Sequence, residues 1–199
     1  MPADEHEVTL ASYDGGVDAY LAGSADEACL PLLTRLTEAQ PSPARVLEIG
    51  SGPGYDATRL RADGYAVQVT DASDGFLDHL RADGWTGALR YDLDRDDPPE
   101  GDWDAVYANA VLHHLRRDRL GPALVRLRRG LRPGTLLVAA TKTGREDGWS
   151  TAKLPTPRWF TYWAEPDLWS LLDSTGWHVD QLCVRTGRHD EWLDVVARA

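Results

Sequence analysis

Only two cysteines, Cys29 and Cys183, occur among the 199 residues, too few for a disulfide framework. Both read as small apolar fillers, Cys29 on a helix and Cys183 on a strand. No run approaches the ~18 consecutive apolar residues of a membrane span. The start, Met1 to Glu7, is acidic and lacks the basic and apolar regions of a signal peptide. A cytoplasmic protein is therefore expected. Positive charge is also scarce: 21 basic residues face 32 acidic ones, a formal net charge of −11. A nucleic-acid surface needs a concentrated positive field, so neither nucleic acid nor membrane is an expected partner. Lysine is almost absent, with two against nineteen arginines, the bias of a high-GC bacterial genome. The one basic cluster, Arg116 to Arg132, reads as a solvated helix face with arginines favouring the helix C-terminus. No cysteine set can hold an iron–sulfur centre, and no histidine–carboxylate spacing reads as a metal site.

What is present is an ordinary soluble composition, 42% hydrophobic and 27% charged, enough for one domain with a core. Two short helices are predicted first, Val17 to Ala22 and Ala25 to Ala39, the second with Leu30, Leu33 and Leu36 at helical spacing. Pro41-Ser42-Pro43 breaks the chain. Strands and helices then alternate: strand Arg45–Ile49, helix Tyr55–Ala62, strand Tyr65–Thr70, helix Asp74–Ala82, strands Ala88–Tyr91 and Ala105–Asn109, helix Arg117–Leu131, strand Thr135–Thr141. This alternation predicts parallel crossovers and a sheet covered on both faces. A helix from Glu165 and two strands, Trp177–Val184 and Glu191–Ala197, finish the chain. Six residues between those strands allow only a hairpin, so the last strand runs antiparallel.

One segment carries chemistry. Val46-Leu47-Glu48-Ile49 is a buried strand that ends in Gly50-Ser51-Gly52-Pro53-Gly54 and opens a helix. Glycine lets the backbone approach a ligand and adopt positive φ, and the helix N-terminus beyond offers free N–H groups to an anion. Asp71 ends the second strand, where a carboxylate can accept both ribose hydroxyls. Asp92 and Leu93 end the third, placed for an adenine amino group and ring nitrogen. Asn109 ends the fourth. A nicotinamide fingerprint fits less well, because Tyr55 stands where its third glycine belongs.

With these residues the chain resembles the class I, Rossmann-like S-adenosylmethionine-dependent methyltransferases of small bacterial type. Leu47 to Gly54 is similar to that family's first motif, Thr70-Asp71-Ala72-Ser73 to its second, and Tyr91-Asp92-Leu93-Asp94 to its adenine motif. Asp102 to Leu115 resembles the fourth, and Leu131-Arg132-Pro133-Gly134 the turn before the fifth strand; Thr135 departs from a usual second glycine. The resemblance implies an α/β three-layer sandwich with a mainly parallel seven-stranded sheet and an antiparallel C-terminal hairpin strand. It implies one domain over 1–199: an N-terminal helical lid (1–40), a cofactor core (44–141) and an acceptor-side crossover with the terminal hairpin (142–199). It also implies S-adenosylmethionine as cofactor and S-adenosylhomocysteine as product. Glu48 would support the loop, Gly50, Ser51, Gly52 and Gly54 would surround the methionine portion, Asp71 and Ala72 the ribose, Asp92 and Leu93 the adenine, and Asn109 the methyl group. Separately, Tyr13 and Tyr20 are candidates for a lid over the sulfonium, whose positive charge favours aromatic faces.

The acceptor is less legible. His113 and His114 follow Asn109, and His113 is the candidate general base; His6, His79 and His189 have no discriminating context. Six of eight tryptophans follow residue 148, and Trp159-Phe160-Thr161-Tyr162-Trp163 with Arg158 lies in the crossover that, in this family, borders the acceptor. An apolar or aromatic small molecule, with Arg158 meeting an acidic group, is the expected acceptor. Asn109-Ala110-Val111-Leu112 lacks the Pro-Pro-aromatic tetrad of DNA-adenine or protein-glutamine enzymes. A modified peptide as acceptor, or a sensor or partner subunit that binds adenosylmethionine without transfer, are the alternatives.

Overall fold

The structure, a computed structural model, describes residues 4–23 and 28–199. Its centre is a seven-stranded sheet of order β3-β2-β1-β4-β5-β9-β8. The strands are β1 (Arg45–Ile49), β2 (Ala66–Asp71), β3 (Leu89–Arg90), β4 (Ala105–Asn109), β5 (Leu136–Thr143), β8 (His178–Thr186) and β9 (Glu191–Arg198). β1 to β5 pair in parallel, whereas β9 inserts antiparallel between β5 and β8. The expected α/β sandwich and antiparallel hairpin strand are both present.

Strand alternation builds the layers. Leu47, Ile49, Val106, Ala108, Leu137 and Ala139 face α6 (Arg117–Arg129) and α7 (Glu165–Ser174), where Leu120, Leu124, Leu168 and the fully buried Trp177 complete one core. Val46, Tyr107, Leu136 and Val138 face the other way, onto Leu32, Leu33 and Leu36 of α3 (Leu30–Ala39) and Leu60 of α4 (Tyr55–Ala62). On that face α5 (Asp74–Ala82) packs Leu77 and Leu80 against Val69, and Ser73 caps it by accepting the Phe76 N–H at 3.3 Å.

The N-terminal segment differs from the expectation. A further helix, α1 (Glu5–Asp14), precedes α2 (Val17–Gly23). Its buried residues are the polar Thr9 and Ser12, so no apolar stripe announced it. Thr9 accepts the Trp159 N–H at 2.9 Å and Ser12 donates to the Pro157 carbonyl at 2.6 Å, so this helix docks through hydrogen bonds. The signal that could have found it is Asp4-Glu5-His6-Glu7, an acidic N-cap with a carboxylate three residues on; Asp4 accepts the His6 N–H at 3.2 Å. The helix expected from Ala25 begins at Leu30, with Cys29 capping it rather than inside it; its expected first residues, 25–27, lie outside the described residues. A second unexpected element is the two-stranded ribbon of β6 (Gly148–Ser150) and β7 (Arg158–Phe160), with Trp149 opposite Trp159.

The arginine cluster is half-exposed but not merely solvated. Arg116 reaches Glu5 at 2.8 Å, Arg117 grips Asp147 at 2.8 Å, and Arg119 reaches Asp94 at 2.6 Å. A deeper ion pair closes the other side. Asp194 on β9 is fully buried and accepts from Arg185 at 2.9 Å and from Arg35 of α3 at 3.1 Å. Removing one partner of a buried pair strands the remaining charge. Asp194→Ala is expected to lower unfolding free energy by about 3 kcal/mol, measured by urea denaturation.

Candidate active site

The parallel strands deliver their carboxyl ends to one edge of the sheet, and the glycine loop sits there. Gly50, Gly52 and Gly54 all adopt positive φ, at 65°, 50° and 82°, the left-handed region that disfavours side chains. Gly50 is also crowded, since a Cβ there would lie 2.5 Å from Val111 Cγ2. Above Gly52 the space is open, and its N–H donates to the Asp71 carboxylate at 2.8 Å. The other Asp71 oxygen accepts the Ser73 N–H at 2.9 Å. Burial pushes the Asp71 carboxyl up to about 6, while these backbone donors pull against it.

Below the loop, Glu48 is buried and accepts the Ser51 hydroxyl at 2.6 Å. Burial pushes its carboxyl up to about 8, which the Ser51 bond only partly opposes. Asp56, in the first turn of α4, is the hub that sequence reasoning missed: it accepts from the Tyr107 hydroxyl at 3.0 Å and the Asn109 amide at 2.9 Å, and from the Cys29 N–H. The Asn109 amide is thus held by the helix. Asp92 is also engaged. One oxygen accepts the Asp94 N–H at 2.9 Å and the other lies 2.7 Å from His6 Nε2 on α1. His6 therefore has a context that its sequence neighbours did not reveal.

These parts enclose a cavity of about 570 Å³. Of the sequence-predicted residues, Tyr20, Gly50, Gly52, Asp71, Ala72, Asp92, Leu93, Asn109 and His113 line it. Glu48 beneath the loop, and Ser51 and Gly54 within it, are absent from the wall. Ala110 bends β4 into the site with φ of 62°, a conformation that costs an L-residue roughly 1–2 kcal/mol. The bend drops Val111 onto Gly50 and presents His113 and His114 to the cavity.

The two histidines have different partners. His113 stacks on Phe160 at 5.2 Å and its Nδ1 has no partner among the described residues. His114 forms a relay instead. Its Nδ1 donates to the Trp159 carbonyl at 2.8 Å, so its Nε2 accepts the Tyr13 hydroxyl at 2.8 Å. The Tyr13 oxygen in turn accepts from Arg158 at 3.2 Å. Burial holds His113 well below the usual imidazole range and His114 at about 3, and raises the Tyr13 phenol. At neutral pH this is a relay of neutral rings. Most late aromatics belong to the core or surface: Trp163 and Trp177 are in the core, and Trp149 and Trp169 are exposed. Phe160 and Trp192 alone of the late Trp, Phe and Tyr residues line the cavity, facing Tyr13, Tyr20 and Phe76.

Residues 21–182 match the methyltransferase-domain family, and the chain belongs to that family. It has the fold of the S-adenosylmethionine-dependent methyltransferases. It is similar to the CcbJ methyltransferase from Streptomyces caelestis, with a TM-score of 0.75 and 19% identity over 99% of both chains. It is also similar to the Burkholderia thailandensis 1,6-didemethyltoxoflavin-N1-methyltransferase, bound to 1,6-didemethyltoxoflavin and S-adenosylhomocysteine, with a TM-score of 0.70 and 22% identity over 100% of this chain and 91% of that one. A third similar structure is the DhpI–SAM–HEP complex, with a TM-score of 0.70 and 22% identity over 97% of each chain. No curated protein matches the chain. Among the described residues no helix is long and apolar enough to cross a membrane, and no group of three metal-ligating side chains occurs.

Glu48 generates a pH prediction. Its folded pKa lies above the unfolded value of 4.5, so the native state keeps a proton that the unfolded chain releases. The resulting stability is present below about pH 4.5 and lost as pH rises through about 8. Glu48→Gln, which is neutral throughout, is expected to lack this decline. The check is the difference in unfolding free energy between variant and wild type across that window.

Proposed function

We propose that the protein transfers a methyl group from S-adenosylmethionine to an O, N or C atom of a small molecule bound in the 570 Å³ cavity. The observation that carries this reading is the composition of that one cavity: a glycine loop and strand-end carboxylates on one side, an aromatic wall with a histidine–tyrosine relay on the other. Its volume suits a drug-sized ligand.

The residues fit adenosylmethionine. The open space over Gly52 gives an approach to backbone. Asp71 keeps lone pairs for ribose hydroxyls after accepting two N–H bonds, and Ala72 borders it. Asp92 and Leu93 face the adenine end, with His6 orienting the carboxylate. Glu48 braces the loop from beneath by accepting the Ser51 hydroxyl, and Gly54 lets α4 begin against Leu80 and Trp85. Bound there, adenosylmethionine supplies an electrophilic methyl on sulfur; the acceptor–carbon bond forms as the sulfur–carbon bond breaks, and sulfur keeps the electron pair as S-adenosylhomocysteine.

The chain's own contribution is alignment and exclusion of water. Tyr13, Tyr20 and Phe76 form an aromatic cluster with centroids 5.4 to 6.0 Å apart. Aromatic faces favour a sulfonium, so of the segment 1–40 it is α1 and α2 that serve as a lid, whereas α3 belongs to the core. His113 is buried against Phe160, whereas His114 holds the Tyr13 hydroxyl; with both imidazoles kept neutral by burial, the pair positions the aromatic wall at the acceptor side.

Incubation with adenosylmethionine and metabolite extracts should release S-adenosylhomocysteine. Tight binding without turnover across broad acceptor sets would favour a binding-only role. Asp71→Asn is expected to weaken S-adenosylhomocysteine binding several-fold. Because ribose hydroxyls prefer the ionised carboxylate, wild-type affinity should fall as pH drops through about 6, and the variant should lack that fall. Calorimetry from pH 5 to 8 is the measurement; unchanged affinity in the variant would refute the ribose assignment.

A further inference from the structure

Lys142 and Lys153 are the only lysines in the chain, and both line the cavity together with Arg158 and Arg188. A protein of net charge −11 thus gathers four cations on one wall of one cavity. Lys142 is on β5, Arg158 on β7, Lys153 in the loop between β6 and β7, and Arg188 in the turn between β8 and β9. The carboxylates Asp71 and Asp92 belong to the opposite half of the sheet, at β2 and β3.

Aromatic rings hold three of the cations together. Lys142 Nζ and the Arg158 guanidinium lie 4.7 and 5.3 Å from the Phe160 centroid. Lys153 Nζ lies 4.9 Å from Tyr20, and Arg158 lies 5.4 Å from Tyr13. Negative charge is short. Among the described residues Asp190 is the one carboxylate on this wall, and it already bonds Lys142 at 2.8 Å and Arg145 at 3.2 Å. Among the described residues no carboxylate pairs with Lys153, Arg158 or Arg188.

Arg158 is the decisive group. It is 3% exposed, its Nε has no partner among the described residues, and the only hydrogen bond it makes among them is to the neutral Tyr13 hydroxyl. Burying a guanidinium without a counter-charge is costly. Partial desolvation at the cavity mouth, and then the Arg158 and Lys142 charges, push the Lys153 ammonium downward. Adenosylmethionine adds to the positive charge, because its ammonium and carboxylate cancel and its sulfonium remains. An anionic second ligand offsets both.

We propose that the acceptor is an organic oxyacid, a carboxylate or a phosphate-type anion on an apolar body, with its oxyanion seated on Arg158 and Lys153 and its body against Phe160 and Trp192. This rests on the methyltransferase reading and names its substrate class. Arg158 presents a planar fork suited to two oxygens, Lys153 a mobile point charge at the mouth, and Lys142 and Arg188 add field.

The test is calorimetry on protein saturated with S-adenosylhomocysteine, using phenyl phosphate and benzoate against neutral benzyl alcohol and benzamide. At least one anion is expected to bind about tenfold or more tighter than its neutral counterpart. Arg158→Gln and Lys153→Met should each remove most of that advantage while S-adenosylhomocysteine affinity stays within about twofold. Lys153 is exposed, so its variant carries the test if the loss of the Arg158–Tyr13 bond unfolds the other. No saturable anion binding, or equal affinity for the neutral probes, overturns the proposal. So does a variant that loses S-adenosylhomocysteine affinity, which would assign the cations to the cofactor's own carboxylate. Failure of the wild type to bind S-adenosylhomocysteine would instead remove the cofactor reading on which the proposal stands.

Discussion

The bond from Gly52 N–H to the Asp71 carboxylate, 2.8 Å long, ties the loop after β1 to the end of β2. It joins two strands whose parallel register runs from Arg45 opposite Ala66 to Ile49 opposite Thr70. That register brings the carboxyl ends of both strands to the same edge of the sheet. The Ser51 N–H adds a second tie to the Thr70 carbonyl at 2.8 Å. With the loop fixed from both sides, positive φ at three glycines is sustained, and the backbone is open where a ligand approaches. β4 lies on the other flank of β1, and its bend at Ala110 seats Val111 against Gly50. The cavity floor is thus a property of three adjacent strand ends and the bonds between them.

Charge inside the cavity follows the sheet. Asp71 and Asp92 mark the β2–β3 half, whereas Lys142, Arg158, Lys153 and Arg188 mark the half built on β5, β7 and the turn before β9. Between them stand rings: Tyr13, Tyr20, Phe76, Phe160 and Trp192. Burial keeps His113 and His114 neutral and raises Glu48 and Asp71. The low-dielectric interior strengthens each remaining pair and makes unpaired groups expensive. A cavity of this kind discriminates by charge as much as by shape.

α1 connects the two halves. It holds His6 against Asp92, Tyr13 against His114 and Arg158, and Thr9 and Ser12 against the β7 ribbon. Glu5 and Glu7 add ion pairs to Arg116 and Arg95. A helix docked by polar bonds rather than an apolar stripe gives up less on separation than a core helix, because water can replace its partners.

Much of this was legible in the residues. Strand and helix periodicity, the proline break, the glycine loop and its companions Asp71, Asp92 and Asn109 are local patterns, fixed by side-chain period and by backbone freedom at glycine. The short final connection likewise dictates a hairpin. Less legible were α1 and the β6–β7 ribbon, because polar docking and three-residue strands leave no periodic signal. The roles of His6, Asp56 and His114 depend on partners as distant in sequence as residues 92, 107 and 13. The layered α/β sheet and its nucleotide-type loop follow from neighbours along the chain, and so could be read from the residues alone. Which charges meet in the cavity depends on contacts between distant segments, because a chain of net charge −11 can still focus positive potential where burial strips the counter-charges away.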